Sequence, residues 1–284
     1  MEEIMKTDEI MKTDEIDVLI GDTCHRARVV DGVITGISPH GGPHPSGGVW
    51  TTGFADLHCH GAMGQGFDTA DAGGIDEALQ YHRSQGTSSV VLSLVSAPAP
   101  QLVARLHELR GIVPTTPGAD GVHLEGPFLA AGRRGAHDPA ALTMPSAKVV
   151  AALVEAGDGI LRQVTIAPEL PGALDAIDVF VSAGVRVAIG HTEADYDITA
   201  AAFDRGASIL THAFNAMPGL GHRQPGPVGA ALDRDHVVIE VVADGHHVHP
   251  TVLRTLFAAA PARVALVTDA MSAAGLGDGS YELG

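Results

Sequence analysis

Cysteine, lysine, aromatic residues and long apolar runs are all scarce in this 284-residue chain, and each scarcity excludes something. The two cysteines, Cys24 and Cys59, lie far apart and form no CxxC pair. A disulfide framework is therefore not expected, and a reducing, cytoplasmic compartment is. No run approaches the roughly 18 consecutive apolar residues of a membrane helix. The N-terminus, MEEIMKTDEIMKTDEI, carries acid and lacks the apolar centre of a secretory signal. The chain reads as soluble, with no membrane partner. A net charge of −17 leaves no basic stripe to neutralise phosphates, which excludes nucleic acid as a partner. Lysine occurs only at Lys6, Lys12 and Lys148.

Histidine is abundant instead. Sixteen histidines sit in a chain with 4% aromatics, and several fall where apolar runs stop rather than scattered over loops. With 45% hydrophobic and 18% charged residues, the chain can bury a sizeable core and is not disordered as a whole. Its length suits one large α/β barrel domain.

Three regions follow from the pattern. The hexamer IMKTDE occurs at 4–9 and again at 10–15, too short for a structural repeat, so residues 1–16 read as a disordered duplicated leader. Residues 17–52 read as β structure (DVLIG, HRARVVDG, VITGI), part of a small β-sandwich, with a Gly/Pro/His loop over Pro39–Gly48 as its boundary. From 53 to 284 eight apolar runs recur: GFADLHCH, SSVVLSL, GVHLEG, RQVTIAP, VRVAIGH, SILTHAFN, VVIEVVADG and RVALVTDA. Helical stretches lie between them, at Ile75–Gln85, Ala99–Leu109, Leu174–Ala183, Asp195–Arg205 and Pro250–Ala259. Eight buried strands alternating with helices predict an α/β fold, a (β/α)8 TIM-like barrel. A doubly wound sheet gives the same periodicity, and the polar residues decide between them. In a barrel the chemistry collects at the C-terminal strand ends. His58/His60, Glu125, His191, His212 and Asp269 end the first, third, fifth, sixth and eighth runs.

Residue type and spacing then suggest the chemistry. Alternation along a strand puts His58 and His60 on one side, facing the barrel interior, and Cys59 toward the helices. Asp56 is expected to orient an imidazole, and Gly61 leaves room beside an ion. A carboxylate at Glu125 is costly at the end of an apolar strand unless paired or bound to metal. Neutral imidazoles with a carboxylate suit a divalent ion, zinc first, with iron, manganese or cobalt as alternatives. In such a hydrolase the bound water has its pKa lowered to about 7. Asp269 can take that water's proton and deliver it to the leaving group. Its bland alternative is a helix N-cap.

FADLHCHG, HLEGPF, GHT, THAFNAM, ADGHHVHP and LVTDAMSAAG, in order from about Gly53 to Gly275, resemble the motif set of N-acetylglucosamine-6-phosphate deacetylases in the amidohydrolase superfamily. The resemblance implies release of acetate from N-acetylglucosamine 6-phosphate to give glucosamine 6-phosphate, in amino-sugar catabolism and cell-wall recycling. It implies one ion on Glu125, His191 and His212. A second ion is implied on His58 and His60, with Glu125 bridging, so one or two ions per subunit. Asp269 takes the place of the general base and acid, and His137, in RRGAHDP, that of the group polarising the acetamide carbonyl. Ala136, Asn215, Ala216 and His247 take the places of substrate contacts. Arg223 takes that of an arginine reaching the phosphate, from the partner subunit of a homodimer.

The lysine shortage adds a discrimination within that superfamily. Dihydroorotase-like enzymes bridge two metals through a carbamylated lysine, and this chain has none between Asp17 and Ser146. Members of the deacetylase family continue past SYELG, so a truncated barrel is expected, lacking its last helix and the returning strands of the sandwich. Two alternatives stay open: an amidohydrolase acting on another amide, and an inactive metal-binding fragment.

Overall fold

A computed structural model describes residues 14–20, 23–31, 33–41 and 52–281. Two compact units divide between Gly53 and Phe54. Residues 1–13 of the expected leader, and most of the Pro39–Gly48 loop, lie outside the described residues.

The first unit is an antiparallel meander of β1 (Asp14–Ile20), β2 (Thr23–Val30) and β3 (Val33–Pro39). Strand β1 thus begins inside the stretch read as leader, because Asp14 to Ile16 pair with Val29 to Ala27. Asp17 sits opposite Arg26 and takes two hydrogen bonds from its guanidinium, at 2.8 and 3.3 Å. Asp31 follows β2 in a turn and adopts φ +50°, the left-handed conformation that tight hairpins favour. Ala27 and Val29 alternate inward on β2, whereas Val33, Ile34 and Ile37 of β3 are exposed.

The second unit is the barrel. Its parallel strands, in spatial order, are β4 (Phe54–Cys59), β7 (Thr87–Leu94), β8 (Ala119–Glu125), β9 (Leu161–Ile166), β10 (Arg186–Ile189), β11 (Ile209–Leu210), β12 (Val238–Val242) and β13 (Val264–Val267). All eight predicted runs are strands. A small hairpin, β5 (Gly61–Ala62) and β6 (Gln65–Gly66), follows the first. Seven helices connect successive strands: α1 (Ala72–Ser84), α2 (Ala99–Ile112), α3 (Ala147–Ala156), α4 (Ala173–Ser182), α5 (Tyr196–Asp204), α6 (Gly226–Leu232) and α7 (Pro250–Ala259). Among the described residues no helix follows β13.

Local sequence starts these helices. Asp71, Ser146 and Asp195 accept hydrogen bonds from the free N–H groups of the first turns of α1, α3 and α5. His249 does the same for α7, with Pro250 at the first helical position. Leu79, Leu92, Leu106, Leu124, Leu153, Phe128, Phe180 and Phe203 are fully buried in one continuous core. Burying each such side chain stabilises the fold by about 1.5–3 kcal/mol.

The ring is fastened between its first and last strands by the residues that follow them. Asp269 donates its backbone N–H to the His58 carbonyl at 2.9 Å, and His60 donates to that of Ala270 at 2.7 Å. Asp56 accepts from the backbone of His58 and of Thr268, both at 3.2 Å, and from the Thr268 hydroxyl at 2.5 Å. This corrects its expected role: Asp56 holds backbone and the last strand, and makes no hydrogen bond to an imidazole. Closure brings the C-terminal ends of all eight strands to one mouth.

Candidate metal centre

Glu125 ends β8, and five imidazoles surround its buried carboxylate, those of the four expected ligands and of His137. His191 and His212 Nε2 lie 3.0 and 3.1 Å from Oε1, and His60 Nε2 lies 3.1 Å from Oε2. His58 Nε2 is 3.4 Å from Oε1. Asp269 stands on the other side, its Oδ1 3.5 Å from both His58 and His60 Nε2. The structure thus brings six predicted residues into one cluster, His58 and Glu125 from β4 and β8, and the others from just past the ends of β4, β10, β11 and β13.

Backbone strain helps to aim them. His191, His212 and Asp269 have φ of +46°, +24° and +50°. Left-handed backbone in a non-glycine residue costs about 1–2 kcal/mol. Each directly follows or soon follows a strand, where an abrupt turn points the side chain into the mouth instead of continuing the pleat.

Several neighbours fix ring orientation. His191 donates from Nδ1 to the Arg133 carbonyl at 2.8 Å, which fixes the ring with Nε2 toward Glu125. His137 Nδ1 accepts from the Ser96 backbone at 3.1 Å, so its Nε2 carries the hydrogen, 3.2 Å from Glu125 Oε2. Cys59 faces away, with its sulfur 3.2 Å from His82 Nε2 on α1.

The electrostatics are those of an overcrowded donor cluster. Burial would raise the Glu125 carboxyl, but the His58 charge and hydrogen bonds from His137, His191 and His212 hold it well below the usual range. Burial opposes charge on His58 as well, yet Glu125 and Asp269 push it well above the ordinary imidazole value. His123, fully buried and near His58, is pushed well below it.

A divalent ion fits these residues. His58 and His60 Nε2 are 3.2 Å apart, and His191 and His212 Nε2 are 3.0 Å apart, each pair meeting on one carboxylate. Only one hydrogen can occupy each of those gaps, so lone pairs are in excess. A cation resolves that excess, and imidazole with carboxylate is a common donor set for it. Two groups are formed, His58–His60–Glu125 and Glu125–His191–His212, all buried and sharing Glu125.

The expected substrate contacts are placed more loosely. Beside His137 is a cavity of about 280 Å³, lined by Asp68, Ser96, Arg105 and Ala136 among others. Asn215 donates its amide to the carbonyls of His212 and Ala213, at 3.2 and 3.3 Å. Ala216, at φ +50°, accepts from the Thr192 backbone at 3.1 Å. Arg223 is exposed in the loop before α6. His247 is exposed too, and its Nδ1 lies 2.8 Å from Asp244 Oδ2. Hydrogen bonds from the His247 and His246 backbones hold the Asp244 carboxyl far below its usual range.

Sequence reasoning missed three residues here. His123 spans Ser93 and Thr165 beneath the centre, at 2.9 and 2.8 Å. Glu240 is fully buried in β12. Glu169 accepts from the Thr192 hydroxyl at 2.5 Å and the Glu193 backbone at 2.6 Å, pinning the turn that carries His191. A charge inside VVIEVV was a readable signal for Glu240, since an isolated buried carboxylate is strongly disfavoured.

A parallel (β/α)8 barrel with a carboxylate–imidazole centre at its strand ends defines the amidohydrolase class of protein. No family model matches the chain. It is 38% identical over 270 residues to N-acetylgalactosamine-6-phosphate deacetylase of Escherichia coli O157:H7, covering 91% of this chain and 70% of that protein. It is 37% identical to N-acetylglucosamine-6-phosphate deacetylase of Vibrio furnissii, covering 82% of this chain but only 59% of that protein. The crystal structure of N-acetyl-D-glucosamine-6-phosphate deacetylase from Mycobacterium smegmatis superposes with a TM-score of 0.86 at 38% identity, over 94% of this chain and 73% of that one. An aspartate-to-alanine variant of that protein has been crystallised with N-acetyl-D-glucosamine-6-phosphate. The chain belongs to the N-acetylglucosamine-6-phosphate deacetylase family, hydrolases of amide C–N bonds.

Proposed function

We propose that this chain removes the acetyl group from N-acetylglucosamine 6-phosphate, giving glucosamine 6-phosphate and acetate. One observation carries the reading: Glu125 joins two imidazole pairs, with Asp269 and His137 also at the cluster. The donors His58, His60, Glu125, His191 and His212 would hold one or two divalent ions, zinc in the first instance, with iron, manganese or cobalt as alternatives. When bound, the ion supplies Lewis acidity and lowers the pKa of water to about 7.

The chain's own residues do the rest. Asp269 is 27% exposed at its side chain, open enough to exchange a proton, and close enough to His58 and His60 to receive it inside the cluster. It takes a proton from the attacking water and returns it to the departing amine. His137, its tautomer set by Ser96, donates from Nε2 to the acetamide oxygen as negative charge builds there. Ala136, Asn215, Ala216 and His247 contact the sugar phosphate, and Arg223 meets the phosphate across a homodimer. Residues 17–52 serve as part of a sandwich domain, and residues 53–284 as the hydrolase domain. The setting is cytoplasmic, in amino-sugar catabolism and cell-wall recycling. No helix among the described residues is long and apolar enough to cross a membrane.

A second reading has its own support, since the Escherichia coli relative is named for the galactose epimer. Acetate release should be measured from both N-acetylated hexosamine 6-phosphates, with and without zinc, and from unphosphorylated N-acetylglucosamine. Faster release from the glucosamine form supports the first reading, and a preference for the galactosamine form moves it to the second. Release independent of phosphate removes Arg223 from its role. No release from either by folded, zinc-loaded protein sinks both.

A further inference from the structure

The two donor groups are not equally supported, and the difference leads to Glu240. On the Glu125–His191–His212 side, His191 is oriented by a hydrogen bond from Nδ1 to the Arg133 carbonyl. His58 and His60 Nδ1 are buried without a hydrogen-bond partner, as is His212 Nδ1, so His191 is the one ring of the four whose Nδ1 is fixed. A carboxylate stands close to one of them: Glu240 Oε2 lies 3.6 Å from His58 Nδ1.

Glu240 projects from the middle of β12 and is completely buried. Gln163 on β9 donates to its Oε1 at 3.0 Å across the barrel, and the Thr211 hydroxyl donates to Oε2 at 2.8 Å. Both donors are neutral. No lysine or arginine pairs with it among the described residues, so His58 is the one cation-forming group near it. A buried carboxylate without a partner is strongly unfavourable. Its retention in an otherwise apolar strand therefore asks for a charged neighbour. An imidazole that gives its Nε2 lone pair to a cation turns its Nδ1–H outward, polarised, toward just such an acceptor.

We infer that Glu240 is a positioning residue for His58 and thereby sets how tightly the His58–His60–Glu125 group holds its ion. The inference rests on the metal-centre reading above. Its consequence is selective: Glu240 should bear mainly on the His58–His60–Glu125 group, because its carboxylate lies against the His58 ring and meets the other group only through the hydroxyl of Thr211, the residue before His212.

Titration of the full metal-free chain with cobalt(II), followed by visible absorption, separates the cases. The wild type should take up two equivalents with distinguishable spectra. In Glu240→Gln the second should weaken about 10- to 100-fold, as loss of such an outer partner typically does, with the first unchanged. Gln163→Met, which removes one of the two neutral donors to the carboxylate but leaves the charge, should keep both equivalents and so controls for packing damage. Circular dichroism verifies that each variant is folded. Equal affinities in wild type and Glu240→Gln overturn the inference alone, as does a wild type holding one equivalent. Parallel weakening in Glu240→Gln and Gln163→Met also overturns it, since packing rather than charge is then responsible. If Glu240→Gln does not fold, Glu240→Asp takes its place, and undiminished uptake of the second equivalent there has the same meaning. No cobalt uptake by the wild type overturns the metal centre itself, and the inference with it.

Discussion

The two halves of the donor cluster share Glu125 but are built differently. His191 and His212 come from separate strands, each aimed by a left-handed residue, and His191 is further fixed by the Arg133 carbonyl and the Glu169-pinned turn behind it. His58 lies in β4 and His60 just past its end, both aimed by ordinary alternation, and their Nδ1 atoms lack a hydrogen bond, as does that of His212. The first half is shaped more by tertiary contacts, chiefly those that fix His191. The second is inexpensive in backbone terms and depends more on what binds it. That difference predicts an ordered hierarchy of ion affinity.

Replacing the shared ligand should have the largest effect. Glu125→Gln is expected to lose both ions by metal analysis and at least about 10³-fold in kcat/KM, since Lewis-acid stabilisation is worth several kcal/mol. Retention of one ion would show that the halves do not truly share it. Asp269→Asn comes next: kcat should fall roughly 10²- to 10⁴-fold with metal content unchanged, and near-normal turnover would remove Asp269 from proton transfer. Substitution then tests the hierarchy directly. His212→Asn should abolish tight binding of the first ion, whereas His60→Asn should leave that ion and lower kcat/KM only about tenfold. Equal losses would erase the distinction between the halves.

The pH dependence sharpens it further. In metal-free protein, raised His58 and His191 contribute stability that is full below the ordinary value of 6.5 and is lost as pH rises through their higher folded values. Depressed Glu125 contributes above its ordinary value of 4.5 and is lost as pH falls. Chelated protein should therefore melt at lower temperature at about pH 8.5 than at about pH 6. Zinc-loaded protein should show the opposite slope, because protons compete with the ion for the same nitrogens. Parallel slopes in thermal melts would deny that competition. The smallest effect is expected from Glu169→Gln, which weakens two charge-assisted hydrogen bonds behind His191 and should cost about 1–2 kcal/mol in chemical denaturation. No change would make the His191 turn self-sufficient.

Much of the barrel was legible because strand and helix periodicities differ and eight apolar runs each ended in a turn signal. The helix ends shifted by a few residues, as at α1, where Asp71 starts the helix ahead of Ile75. The short α6, all small residues and proline, carried no amphipathic signal. Asp56 was noticed and given the wrong partner, since a sequence shows a carboxylate two residues before a histidine but not that Thr268 lies opposite it.

The sequence alone determined which residues are chemically able to form the centre. His58, His60, Glu125, His191, His212 and Asp269 are polar groups at the ends of apolar strands, and the twofold alternation of a strand already places His58 with His60. Only the tertiary structure decided that Glu125 stands between two imidazole pairs, that His137 reaches it from a loop, and that Glu240 lies behind His58. Those relations depend on ring closure, which joins strands far apart in sequence and which no local pattern of residues encodes.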